Sequence, residues 1–307
     1  MLVQLREDLQ AFLQSRRFTP YLEGTAVELP DGRSLTLKVA EVQRSVRNSG
    51  FKHARYSFIT KMPGGQFIGH GFGEAESKLL AFQKSLSEAT ERVVLQAAAG
   101  TSYGTTTSSG WAAHTSEKAA RKSAFFELLE RDAVLTHWLC KRPMLEIVPE
   151  SLPHAIRDWA QTELAQSPRF QRLRVLVADQ GYFPAVTVLL QSTDSFGAIS
   201  HASDGSLDKA VYRALSEASR IAQLVEHPEL IQSSASLVEM NPPMKAILPD
   251  DHAAVYAHHL PVPEWLFGPQ AEWATAARAW NDRARGLSAD QLGLKFHVVA
   301  KAPLVVG

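Results

Sequence analysis

Two stretches of this 307-residue chain place a pair of glutamates one helical turn apart and follow them with an arginine. KSLSEATER, residues 84–92, carries Glu88, Glu91 and Arg92, and SAFFELLER, residues 123–131, carries Glu127, Glu130 and Arg131. A third stretch, RALSEASR at 213–220, aligns Glu217 with Glu88 and Glu127 but has Arg220 where the second glutamate falls. On an α-helix, residues i and i+3 share a face. Glu88 therefore projects with Glu91, and Glu127 with Glu130. Were these helices to pack side by side, four carboxylates would converge. Carboxylates at close range do not all stay ionised without countercharge. A hard cation is the natural remedy: Mg²⁺ takes oxygen ligands and commonly combines a few carboxylates with nucleotide phosphates. Arg92 and Arg131 would complete the charge balance or grip a phosphate in bidentate fashion. The same spacing occurs on solvated helices, where Glu–Arg pairs contribute only about 0.2–0.5 kcal/mol. Spacing alone leaves both readings open.

The elements that must hold these residues can be read from periodicity. Leu2, Leu5, Leu9, Phe12 and Leu13 predict a short amphipathic helix over 2–15. Residues 24–41 read as a hairpin turning at Pro30-Asp31-Gly32, and 54–72 as a second hairpin turning at Pro63-Gly64-Gly65. Long helices are predicted at about 73–98 and 116–139, joined by a Gly/Ser/Thr-rich loop, 100–109, whose N–H groups would suit a phosphate as well as a plain connection would. The second half predicts a helix from Pro153 to Leu164, strands at 174–178 and 184–190, a short strand within 194–205, and a helix at 207–226. Residues 241–270 hold six prolines and no clear period, which marks a long surface excursion. A last helix at 271–286 and a strand at 294–299 close the chain. Helices and strands mix without strict alternation, so the fold class is α+β with a mainly antiparallel sheet. The prolines at 143, 149 and 153 mark a weak break that reads as a loop, and the chain is taken as a single domain.

Composition narrows the function. Hydrophobic residues make up 45% and charged residues 21%, enough to bury a large core. Lys+Arg and Asp+Glu both number 32, which gives no basic excess for nucleic acid. The single cysteine, Cys140, excludes an internal disulfide and a multi-thiolate zinc site. Its place after an apolar helix points to a buried, inert thiol. His252, His258 and His259 lack regular ligand spacing and read as solvated loop residues. Trp265 and Phe267 would either dock a partner or staple the excursion to the core, and Asp132 would hold Arg131. No apolar run approaches the roughly 20 residues of a membrane span. The charged N-terminus breaks the secretory pattern. The default is a soluble cytoplasmic protein.

The run SSGWAAHTSEKAARKSAFFELLERDAVLTHW, Ser108 to Trp138, resembles the signature of the YcaO family, with Glu-Arg-Asp-Ala as its specific part. Gly69-His70-Gly71 with the Glu88/Glu91/Arg92 helix is similar to the family's first Gly-x-Gly and Glu-rich helix. DKAVYRALSEASR, Asp208 to Arg220, is similar to a later family helix, and Leu292 to Leu304 to the closing strand. The resemblance covers 61–307 as a family-like core and matches 1–60 weakly. It implies a YcaO-like domain, 1–307, whose Glu-bearing helices surround a nucleotide site. ATP and Mg²⁺ would activate a backbone amide of a ribosomally made peptide, giving an azoline, an amidine or a thioamide. Carried over, Glu88, Glu91, Glu127 and Glu130 would be the Mg²⁺–phosphate carboxylates, and Arg131 and Arg213 nucleotide contacts. No Walker motif is present, and none is needed for this chemistry.

This sequence departs from the family pattern at several positions. His114 and Thr115 replace the usual Gly and Asn or Gln. Ala119 stands where a further glutamate is usual, and Glu117, about 200° around the helix, would substitute only if the helix shifted. Lys84 replaces a serine, and the final residues lack a proline-rich tail. The short N-terminal section leaves little room for a leader-binding module, so the reading calls for a precursor peptide and a separate leader-binding partner. A homodimer is also compatible. The first alternative is a non-catalytic YcaO-like scaffold or peptide-binding subunit; the second is an ATP-dependent small-molecule ligase or kinase.

Overall fold

The structure, a computed structural model, describes residues 19–29, 31–47, 55–99, 109–166, 170–178, 183–192, 197–226, 263–283, 295, 297, 300–301 and 305–306. The predicted helix over 2–15, the loop 100–108, most of the 241–270 excursion with its three histidines, and most of the closing strand at 294–299 lie outside these residues. The chain divides into two compact units: Met1–Val46, Arg55–Ala124 and Phe296–Gly307 form the first, and Arg47–Ala54 with Phe125–Lys295 the second.

In the first unit, helix α1 (Thr19–Glu23) precedes strands β1 (Thr25–Glu28), β2 (Ser34–Leu37), β3 (Glu41–Arg47), β4 (Arg55–Gly64) and β5 (Phe67–Ala75). β1 and β2 pair antiparallel with Thr25 opposite Leu37, the first predicted hairpin. β4 and β5 form the second, with Tyr56 opposite Ala75 and Gly64 opposite Phe67. Its turn falls two residues later than predicted, because Pro63 stays in the ladder opposite Ile68 and Gly65, at φ 62°, takes the left-handed position. Helix α2 (Lys78–Ala98) lies on this sheet. Its stripe of Ala81, Phe82, Ser85, Leu86, Ala89, Thr90 and Val93 is buried against Phe58, Met62, Val27 and Leu37.

Three glycines explain how closely α2 lies. A Cβ on Gly69, Gly71 or Gly73 would sit 2.1, 1.8 or 2.0 Å from the carbonyl oxygens of Ala89, Ser85 and Ala81. These alternate residues of β5 share one face, and the helix backbone runs directly over it. The Gly-x-Gly noted in the sequence is thus a packing surface. It sets α2 against β5 and brings Glu88 to the edge of that strand away from β4.

The second unit takes over inside helix α3 (Glu117–Leu139), after the short strand β6 (Ala113–His114). Then follow β7 (Met144–Ile147), helix α4 (His154–Gln166), β8 (Arg172–Val177), β9 (Ala185–Gln191), β10 (Gly197–Ser203), helix α5 (Leu207–Glu226), β11 (Phe267–Ala271) and helix α6 (Trp273–Arg283). The sheet order is β10-β9-β8-β7-β11. Its pairs are antiparallel except β11 with β7, which is parallel. β8 and β9 carry Val175, Val177, Val186, Val188 and Leu190 into a core completed by Trp159 of α4, by Leu207, Val211, Leu215 and Ala218 of α5, and by Trp280 of α6. Short strands β12 (Ala300–Lys301) and β13 (Val305–Val306) belong to the sheet of the first unit. The α+β class with a mainly antiparallel sheet holds in each unit.

Three expectations change. The presumed loop after Pro143 is strand β7, and the excursion ends in strand β11 rather than staying irregular. Met-Leu-Glu-Ile and Phe-Gly-Pro-Gln-Ala show no strand alternation; Gly268 is needed because a Cβ there would meet the Met144 carbonyl at 2.5 Å. Arg174 fastens this corner, donating to both oxygens of the buried Glu146 (Nε 2.7 Å, Nη2 2.6 Å) and lying over the Phe267 ring at 3.2 Å. Trp265 and Phe267 pack on Met144, Leu176 and Leu189, so they staple the segment to the core. Cys140 is exposed, not buried, because α3 ends at Leu139 and the thiol stands on the following turn.

Candidate functional site

In the second unit, α3 is fixed by aromatic packing. Phe125 and Phe126 meet Phe183 edge-on at centroid distances of 5.5 and 5.4 Å. The Phe126 ring also lies 3.8 Å from where a Cβ of Gly205 would stand, against the turn that leads from β10 into α5. Glu127 follows Phe126 directly, and Glu130 and Arg131 come about one turn further along α3. Arg131 approaches both carboxylates: its Nη1 is 3.6 Å from Glu130 Oε1 and its Nε is 3.9 Å from Glu127 Oε1. Asp132 is exposed, and Glu127 and Glu130 both lie beside Arg131.

Glu130 is the unusual group. It is only 7% exposed. Burial pushes its carboxyl up to about 8; Arg131 pulls it back, Glu217 and Glu127 push it further up, and Arg213 lowers it. Desolvation, like charges and opposite charges all act on this one carboxyl. α3 and α5 thus bring Glu127, Arg131, Arg213 and Glu217 within electrostatic reach of Glu130. Glu217 is a charged neighbour of Glu130 that the Glu-x-x-Glu-Arg pattern alone does not select; its signal is the third copy of the helix pattern. Glu217 is bound by Arg220 at 2.8 Å. Arg213 donates through Nη1 to the Ser203 carbonyl at 2.8 Å and to Asp204 Oδ2 at 3.3 Å.

In the first unit, Glu88 is held from two sides. Its Oε2 accepts the Phe72 N–H of β5 at 2.6 Å, and its Oε1 accepts from Arg92. Lys84 donates to the Glu74 carbonyl at 3.1 Å and Gln96 to the Ile68 carbonyl at 3.1 Å, so polar side chains of α2 satisfy the edge of β5. Lys84, a departure in the sequence, therefore has a structural partner. Glu91 is half-buried one turn beyond Glu88. Glu117 sits at the start of α3 and pairs with Arg121 at 2.5 Å, which turns it to its own helix surface rather than into the place of the missing glutamate.

The predicted residues thus fall into two sets, Glu88 and Glu91 in the first unit and Glu127, Glu130, Arg131 and Arg213 in the second. Within either unit, no three His, Cys, Asp or Glu side chains of described residues form a ready-made metal cage. The donor set of the second unit still fits a magnesium nucleotide. Mg²⁺ keeps several waters and takes only one or two carboxylates beside phosphate oxygens, and Arg131 and Arg213 would supply the positive charge that phosphates require.

A family model for YcaO cyclodehydratases, described as ATP- and Mg²⁺-binding, matches residues 85–291 of the 307. The chain belongs to the YcaO family. No curated sequence matches it. Among solved structures it is similar to the E. coli microcin synthetase McbBCD complex with pro-MccB17 bound, at TM-score 0.52 and 12% identity over 86% of this chain and 85% of that one. It is also similar to a heterocyclase in complex with substrate and cofactor, at TM-score 0.50 and 15% identity over 87% of this chain and 48% of that one. The YcaO from Methanopyrus kandleri bound with AMPPCP and Mg²⁺ matches at TM-score 0.49 and 13% identity over 62% of this chain and 63% of that one. This chain therefore spans less than two thirds of the heterocyclase and archaeal chains. At these identities the two matches with TM-scores of 0.52 and 0.50 show the YcaO-like α+β fold. Among the described residues, no helix is long and apolar enough to cross a membrane.

Proposed function

We propose that this YcaO protein binds ATP and Mg²⁺ through Glu88, Glu91, Glu127, Glu130, Arg131 and Arg213 and uses them to activate a backbone amide of a ribosomally made peptide, forming an azoline. The observation that carries the reading is the buried Glu130, placed among two further carboxylates and two arginines. A buried carboxyl with a strongly raised pKa among specific charge partners is the kind of group that functional sites build. Glu127 and Glu130 offer hard oxygens toward a metal. Arg131 and Arg213 offer donors toward phosphate and hold the site near charge balance when it is filled. Bound MgATP supplies the phosphoryl group that makes an amide oxygen a leaving group, with the metal offsetting its charge. Glu88 and Glu91 enter on the repeated Glu-x-x-Glu-Arg pattern. We treat 1–307 as one YcaO-like domain because the family match runs from residue 85 to residue 291 across both units.

The peptide and partner readings draw on the similar proteins, which include a synthetase complex with its pro-peptide and a heterocyclase with its substrate. By analogy, this chain acts on a precursor peptide, together with a leader-binding partner, in the cytoplasm where ATP is supplied. The test is incubation with ATP, Mg²⁺, the partner and the precursor peptide. Loss of one water per ring and peptide-dependent phosphate release are expected, and both should vanish in Glu88→Gln/Glu130→Gln. Intact modification by that variant would overturn the site.

One observation favours the scaffold reading. Both oxygens of Glu88 are already engaged, by the Phe72 N–H and by Arg92, and Ala119 replaces a usual glutamate. Under that reading the chain binds peptide but no nucleotide.

A further inference from the structure

We infer that Asp204 is the positioning residue for Arg213, fixing one guanidinium nitrogen so that the other two face an incoming phosphate; this rests on the nucleotide reading of the same site. Asp204 lies at the end of β10, where the chain turns into α5, and is 8% exposed. Its Oδ1 accepts the Gly205 N–H at 2.7 Å, which fixes the carboxylate plane. Its Oδ2 faces Arg213 Nη1 at 3.3 Å, and the same nitrogen donates to the carbonyl of the buried Ser203 at 2.8 Å. Both anchors belong to the packed end of a strand, so they do not move with the arginine.

The geometry leaves a defined remainder. Arg213 keeps Nε and Nη2 without a hydrogen-bond partner among the described residues, and its side chain is 46% exposed. Guanidinium donors sit in a rigid fork that matches two phosphate oxygens at once. A free arginine would lose rotamer entropy on binding; one already pinned at Nη1 loses less. The charge is also kept in place: without Asp204, Arg213 could swing toward the carboxylates near Glu130 and neutralise the groups meant for the metal. Asp204 therefore acts through Arg213 and touches neither ATP nor peptide.

The test is a double-mutant cycle on the full chain, read by calorimetric titration with a non-hydrolysable ATP analogue and Mg²⁺. Asp204→Asn should weaken binding about five- to tenfold, the range of a partly exposed charged hydrogen bond, and Asp204→Glu should recover part of the loss. Arg213→Gln should weaken it more, and Asp204→Asn should add less than twofold in that background. Should Asp204→Asn fail to fold, Asp204→Ser keeps a hydroxyl for the Gly205 N–H and cannot reach Arg213, so it carries the same expectation. Wild-type affinity in both variants, or full additivity with Arg213→Gln, would overturn the positioning role and leave the nucleotide site standing. No analogue binding by folded wild-type protein would overturn the site itself and the inference with it.

Discussion

Replacing Glu130 by glutamine should make the protein's stability less sensitive to alkaline pH. The side chain keeps its shape and loses its ionisation. In the folded protein burial holds the Glu130 carboxyl up at about 8, against 4.5 for the exposed group. The folded state therefore binds this proton more tightly than the unfolded state. Stability from the protonated carboxyl is fully present below about pH 4.5, declines as pH rises, and is lost once pH passes the folded value. Each tenfold difference in proton affinity is worth about 1.4 kcal/mol, so the full effect is about 5 kcal/mol, of which about 4 kcal/mol falls between about pH 5 and pH 9. Glutamine carries no such slope. Urea unfolding of both proteins across that range isolates the effect, because the two proteins differ only at this side chain. The stability difference should move by several kcal/mol in favour of Glu130→Gln as pH rises. Parallel curves would show that Glu130 is ionised at neutral pH, and the argument from its burial would fail.

Two further outcomes follow from packing. Gly71→Ala would place a methyl group 1.8 Å from the Ser85 carbonyl, so α2 must shift; we expect a loss of about 3 kcal/mol or more, measured by denaturant unfolding, while Gly32→Ala, with nothing within 4 Å, should cost only its left-handed φ. Arg174→Ala would strand the buried Glu146, whose carboxyl burial raises but Arg174 holds below its usual range, and should cost about 3–5 kcal/mol at neutral pH. Its penalty should shrink as acid protonates Glu146, because a lowered pKa gives stability that is lost as pH falls; unfolding at about pH 4 and pH 7 measures this.

Much of the fold is legible in the sequence because apolar residues recur with clear periods. The α2 stripe of Phe82, Leu86, Ala89 and Val93 and the near-continuous apolar run of β9 leave little choice of element. β7 and β11 are not legible, since each is short, proline lies beside one and within the other, and their parallel pairing joins segments more than 100 residues apart. The exposure of Cys140 is hidden because an apolar approach does not reveal where a helix stops. At the site, the paired glutamates can be read as i, i+3 neighbours. The role of Gly69, Gly71 and Gly73 cannot, because close backbone approach leaves no trace beyond the glycines themselves. Asp204 is also hidden, and Glu217 shows only as the third copy of the helix pattern: part of the charge around Glu130 comes from α5, far along the chain from α3.

The central claim is that these carboxylates and arginines hold a magnesium nucleotide. Calorimetric titration of the full chain with a non-hydrolysable ATP analogue and Mg²⁺, beside Glu88→Gln/Glu130→Gln, tests it most directly. The account predicts saturable, Mg²⁺-dependent binding by the wild type that is lost in the variant. Absence of binding by folded wild-type protein with its partner present, or equal binding by the variant, would contradict it.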